Sequence, residues 1–161
     1  MAESAQASGE QRPKPVFLRE IEVKFKKKRV KDGSPVGEKI VDPEQVYELF
    51  KDLQNEQKEK MITLHLDTKN TIICFEIVGL GSLNALYVRP MEVFRSSFSL
   101  NAHAAIVIHN HPSGDPTPSE VDKQLTEKLC NMSKDMGLAF HDHIIIGDGK
   151  YFSFADEGLI G

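Results

Sequence analysis

Hydrophobic positions near the start of the chain recur every second residue. In "VFLREIEVKFKKKRV" Phe17, Ile21, Val23 and Phe25 share one parity and the opposite parity is mostly charged, which predicts a β-strand. A turn at "KDGSPVGEK" ends it. The period then lengthens. In "DPEQVYELFKDLQNEQ" Val46, Leu49, Phe50 and Leu53 form an apolar stripe behind Asp42 as N-cap and Pro43 as first helical residue, predicting a helix over 43–57. "KMITLHLDTKNTIICFEIVGLGSLNALYV" returns to strand patterning, with two strands about the "DTKN" turn and a third after "GLGS".

The second half alternates in the same way. "RPMEVFRSSFSLN" reads as a short helix with Val93, Phe94 and Phe98 inward, and "AHAAIVIHNHP" as a strand buried on both faces. From Ser119 onward, Val121, Leu125, Leu129, Met132 and Met136 repeat at helical spacing until Gly137 stops the helix. "AFHDHIIIGDGKYFSFADEGLIG" closes with a buried strand, a turn and an aromatic-rich strand. Strands interleaved with three helices and no internal repeat predict an α/β fold, a single-domain mixed β-sheet flanked by helices. The expected organisation is a disordered tail over 1–15, a strand and turn extension over 16–41, and the main domain over 42–161.

Composition narrows the class without naming a function. At 161 residues, 40% hydrophobic and 27% charged, the chain has the makeup of a soluble globular domain. A net charge of −4 argues against a surface built throughout to hold polyanions. The basic run from Lys24 to Lys31, interrupted by Phe25 and Val30, reads as a lysine-protected edge strand, with a nucleic-acid backbone contact as the other reading. Cys74 and Cys130 lie in apolar segments without a C-x-x-C pattern, so neither a thiolate zinc site nor a disulfide framework is indicated. There is no apolar run of about 18 residues and no secretory signal pattern, so the expected location is the cytoplasm, without membrane contact.

Chemistry concentrates in "HNHPSGDPTPSEVD". In an extended chain residues i and i+2 point to one side, so His109 and His111 converge while Asn110 faces away. Ser119 and Asp122 have near-capping-box spacing, so they begin the next helix and also lie near the loop that returns to the histidines. Two imidazoles and a carboxylate make a three-ligand zinc set with one open position, the catalytic arrangement; a structural zinc site is closed by four protein ligands. Hydrolysis also needs a base and an oxyanion donor. Ser119 is the candidate donor. Glu56, Glu59, Glu76 and Glu92 are candidate bases, and position alone does not choose among them.

A second H-x-H, His141 to His143, reads as a cluster in which Asp142 and His143 hydrogen-bond neighbouring loops. A two-metal site is the competing reading. His65 and His103 read as structural histidines, and Met132 and Met136 as core. The H-x-E and P-C-x-x-C pattern of zinc deaminases is absent, as is H-E-x-x-H.

The segment from Asp42 to Gly161 resembles the RadC family, a bacterial branch of the JAB/MPN metalloenzymes that carry a JAMM motif. That motif is an upstream glutamate, then H-x-H, seven residues and S-x-x-D. Here His109-x-His111 is followed by Pro112 to Pro118 and then Ser119-x-x-Asp122. "HNHPSG", "DHIIIG" at Asp142 to Gly147 and "YFSFADEGLI" strengthen the resemblance. It implies a JAB/MPN fold of cytidine-deaminase-like architecture and one zinc ion on His109, His111 and Asp122. It also implies Glu59, just before "KMITLHLD", as acid/base and Ser119 as oxyanion donor, in a hydrolase acting on a peptide or isopeptide bond. Two departures stand out: Gly81-Ser82 where the family usually shows "GT", and Pro90-Met91-Glu92 where it shows "PRE". Two other functions compete. One is a DNA-repair-associated nucleic-acid binder, after the family's traditional label and the Lys24 to Lys31 run. The other is a metal-bound scaffold without turnover.

Overall fold

The computed structural model describes residues 32–81 and 88–160. The tail over 1–15, the strand through Phe17 to Phe25, the Lys24 to Lys31 run and all of the strand expected after Gly81-Ser82 except Val88 lie outside those residues.

Helix α1, Pro43–Phe50, starts where the sequence places it. Asp42 accepts from the Gln45 backbone N–H at 2.7 Å and Pro43 stands in the first turn. It is shorter than expected, because the chain tightens into a 3-10 turn over Lys51–Asn55 that keeps Leu53 buried. Strands β1 (Lys60–Leu66) and β2 (Ile72–Leu80) form a hairpin, α2 spans Pro90–Ser99, and β3 (Ala104–Asn110), α3 (Glu120–Asp135) and β4 (Ala139–Ile146) form a β-α-β unit closed by β5 (Tyr151–Ser153). The sheet order is β2-β1-β3-β4-β5. Among the described strands only β3 and β4 are parallel; the other pairings are antiparallel. This is the mixed α/β sandwich that the pattern predicts.

Strand alternation sorts the core into two layers. Ile62, Leu64, Leu66, Ile106, Ile108, Ile144 and Ile146 pack with Val46, Phe50 and Leu53 beneath α1. Met61, Ala105 and Val107 pack on the other face with Val93, Phe94 and Leu129 from α2 and α3. Every residue of β3 is buried, because it is a central strand with helices on both sides. No helix among the described residues is long and apolar enough to cross a membrane.

Three helical positions differ from expectation. Phe98 is 42% exposed while Ser97 is buried; the Ser97 hydroxyl meets His65 Nδ1 at 2.8 Å, so α2 turns a polar residue inward at that point. Val121 in α3 and Met136 at its C-cap are exposed, and the buried face runs through Asp122, Thr126, Leu129 and Ser133. Leu129 lies on this face with Leu125 and Met132 packed beside it, while the first two turns of α3 present the polar groups of Asp122 and Thr126 to β3 and β4.

Candidate metal centre

The site forms where β3 ends and α3 begins. Alternation sends His109 toward α3 with Val107 and Ala105, and the His111 backbone N–H continues the pairing with β4 by donating to the Ile146 oxygen at 2.9 Å. Ser119 caps α3 in a full capping box: its hydroxyl accepts from the Asp122 N–H, and its own N–H donates to Asp122 Oδ2 at 2.8 Å. The Ser119 hydroxyl also donates to Oδ2 at 2.5 Å. The cap thereby fixes the carboxylate beside both histidines.

His109, His111 and Asp122 form one group that could hold a metal ion. His109 Nε2 lies 3.1 Å from His111 Nε2 and 3.2 Å from Asp122 Oδ1, and His111 Nε2 lies 3.4 Å from Asp122 Oδ2. Ligands at about 2.0–2.2 Å around a tetrahedral ion stand roughly 3.4 Å apart, and one donor atom from each of the three residues lies within 4.8 Å of the other two, close enough to converge on one ion. Proton placement supports the same conclusion. His111 Nδ1 meets the Asp115 carbonyl oxygen at 2.9 Å, and a carbonyl only accepts, so in the neutral ring Nε2 keeps the lone pair. A lone pair at Nε2, beside a second imidazole and a carboxylate, is the form in which this ring could bind a metal ion.

Electrostatics carry the imprint of that arrangement. Burial pushes the Asp122 carboxyl up, but hydrogen bonds from His109 and His111, the His109 charge and the Ser119 bond hold it far below the usual carboxylate range. For His111, burial pulls the imidazole down; the bonds to Asp122 and the Asp115 carbonyl and the charges of Asp122 and Glu59 outweigh it, for a net rise.

The four candidate acids separate clearly. Glu56 pairs with Lys60 at 2.5 Å, and Glu92 pairs with Arg89 at the start of α2. Glu76 stands on β2, two strands from β3 and so about 10 Å away across the sheet, facing the fully buried His65 with Oε1 3.5 Å from Nε2. Glu59 immediately precedes β1. Met61 is paired with His109, and continuing that antiparallel register by two residues sets Glu59 opposite His111.

Its backbone is held from both sides. The Glu59 oxygen accepts from the Gly81 N–H at 2.8 Å. Asn110, facing away from the ligands, accepts from the Lys60 N–H at 2.8 Å and donates to the carbonyls of Lys58 and Glu56 at 3.2 and 3.4 Å. The middle residue of H-N-H is therefore a clamp on the segment that carries Glu59.

The second H-x-H does not converge. A β-bulge in β4 pairs Phe140 with Ala105 and Asp142 with Ile106, leaving His141 as the extra residue and breaking alternation. His141 is exposed and meets Asn70 Oδ1 at 3.0 Å. Asp142 does bond its surroundings, accepting from the His143 and Ala155 N–H groups and the Ser153 hydroxyl; burial pushes its carboxyl up to about 6 against those bonds. His143 meets the turn after β5 through its backbone oxygen, which accepts from the Phe154 N–H at 3.1 Å, but its ring has another role. It points at the centre, with Nε2 2.8 Å from His109 Nδ1 and Nδ1 2.6 Å from Thr126 Oγ1. Burial, with the neighbouring His109 charge, holds it well below the ordinary imidazole range. Sequence reasoning missed this role and that of Asn110. Thr126 had a signal, since it stands four residues after Asp122 on one helical face.

Gly147 shows how closely the ligand loop packs. A Cβ there would stand 2.4 Å from the Gly114 oxygen and 2.7 Å from Pro116 Cδ. Gly147→Ala is expected to push the 111–119 loop off β4 and destabilise the fold by about 1 to 3 kcal/mol, read as a lower urea midpoint. An unchanged midpoint would show that the loop adjusts freely.

A sheet sandwich with two histidines at a strand end and a capping aspartate across the loop defines a JAB-type α/β domain with a candidate metal centre. The RadC-like JAB domain model matches residues 40–159, and the chain belongs to that family. Similar proteins include the UPF0758 protein of Methanosarcina mazei, 50% identical over 123 residues covering 76% of this chain and 54% of the relative. That of Pelodictyon phaeoclathratiforme is 42% identical over 134 residues, covering 83% of this chain and 60% of the relative. That of Aquifex aeolicus is 36% identical over 121 residues, covering 75% and 52%. The chain thus spans about half the length of the curated relatives it matches. Of the two departures from the family pattern, Met91 is 60% exposed on α2, outside the ligand group.

Proposed function

We propose that this chain is a zinc-dependent hydrolase of peptide or isopeptide bonds. The observation that carries the reading is the three-donor face formed by His109, His111 and Asp122, with Glu59 in register beside it. Three protein ligands leave a fourth position open, as in catalytic rather than structural zinc sites. Zinc held by these three residues would supply Lewis acidity for activating water at neutral pH. Glu59 takes the proton from the attacking water and returns it to the departing amine, which a carboxylate beside the centre can do in both directions. Ser119 steadies charge on the substrate oxygen by turning its hydroxyl from Asp122. The substrate is a protein or peptide, and the two free cysteines suit a reducing cytoplasm.

Metal analysis of protein purified without chelator, paired with hydrolysis of peptide and isopeptide-linked substrates, tests this. One zinc per chain is expected, with activity lost on chelation and restored by zinc. Hydrolysis that survives complete stripping, or metal-free protein from a zinc-replete preparation, would overturn the proposal.

A further inference from the structure

We propose that Thr126 and His143 are positioning residues that select which ring nitrogen of His109 is free to bind metal. The argument is a count of protons. Thr126 Oγ1 lies 2.7 Å from the Asp122 backbone oxygen and 2.6 Å from His143 Nδ1. A carbonyl oxygen can only accept, so the single hydroxyl proton goes to Asp122 and the hydroxyl must accept from His143 Nδ1–H.

His143 is 0% exposed and stacks on Phe154 with ring centroids 5.1 Å apart and planes within 8°. Its two nitrogens meet Thr126 and His109, neither of them an anion, so the neutral ring is the form that burial allows. A neutral ring protonated at Nδ1 carries a lone pair at Nε2, and His109 Nδ1 stands 2.8 Å from it. His109 must therefore donate from Nδ1. Its Nε2 is left unprotonated, and that is the atom facing His111 Nε2 and Asp122 Oδ1.

The chain of bonds begins at the Asp122 carbonyl and ends beside the Asp122 carboxylate, passing through α3, β4 and β3. Each link has one direction, and the first link sets all the others. The inference uses the metal group on which the proposed function rests, but it involves neither Glu59 nor hydrolysis.

Thr126→Val keeps the shape and removes the hydroxyl. The buried His143 Nδ1–H then faces a methyl group, and the ring is better satisfied with its proton on Nε2, donating to His109 Nδ1. His109 in turn carries its proton on Nε2, where the metal would bind. Competition with a chromophoric chelator should show zinc affinity falling about 10- to 100-fold in this variant, with Thr126→Ser restoring it. Long-range 15N–1H spectra of the histidine rings, recorded at pH 8 without zinc, should show His143 as Nδ1–H in the wild type and Nε2–H in Thr126→Val.

A wild-type His143 protonated at Nε2, or a folded Thr126→Val whose zinc affinity stays within twofold, would overturn the proposal. Should Thr126→Val not fold, the wild-type tautomer decides alone. The tautomer readout needs no substrate and no turnover, so failure of the hydrolase reading and failure of this one are separately visible.

Discussion

Glu59→Gln is expected to keep one zinc per chain and to lower kcat/KM for the best peptide or isopeptide substrate by about 100- to 10,000-fold, roughly 3 to 5 kcal/mol of transition-state stabilisation. Glutamine has the same shape and keeps the backbone bond from Gly81, but at neutral pH it cannot take a proton. Glu56→Gln and Glu92→Gln serve as controls, because those carboxylates are engaged with Lys60 and Arg89. Parallel metal analysis and kinetics make the measurement. An undiminished rate with zinc in place would put the base elsewhere and remove Glu59 from the mechanism.

His109→Ala should have two effects that His111→Ala does not combine. Each removes one of three ligands, so zinc affinity should fall by more than the roughly 10- to 100-fold typical of losing an outer partner. His109, though, is buried and donates to His143. Its removal leaves a buried acceptor unpaired, which costs the metal-free fold about 1 to 3 kcal/mol. His111 is partly exposed and its other bond goes to the Asp115 carbonyl in an exposed loop, where water can substitute. Urea denaturation in the presence of chelator should therefore separate the two variants, while metal analysis shows both depleted. Full zinc occupancy in His109→Ala would rule out the assigned ligand set.

Most of the secondary structure was legible because local periodicity and capping agree with the tertiary packing. Asp42, Ser119 and Gly137 mark helix ends by chemistry that acts within a few residues. Legibility fails where a side chain's partner is remote in sequence. Leu125, Leu129 and Met132 of the expected stripe do pack on the core, but Val121 and Met136 do not, because Asp122 and Thr126 turn inward to partners on β3 and β4. Phe98 was expected inside, yet Ser97 takes that position to reach His65.

For the site, the sequence by itself determined the donor types and their local geometry. The i, i+2 histidines converge in any extended strand, and S-x-x-D builds the same cap on any helix. It left the choice among four glutamates open, and chemistry was assigned to Glu59 by resemblance alone. Only the tertiary structure decided what faces those donors: β1 lies antiparallel to β3, so Glu59 comes into register with His111 and Asn110 clamps its backbone. It also decided that the two H-x-H pairs differ. A bulge at His141 separates that residue from His143, and His143 joins the centre from a strand 34 residues away. Pairing register and bulges arise from contacts between distant segments, and no local pattern encodes them.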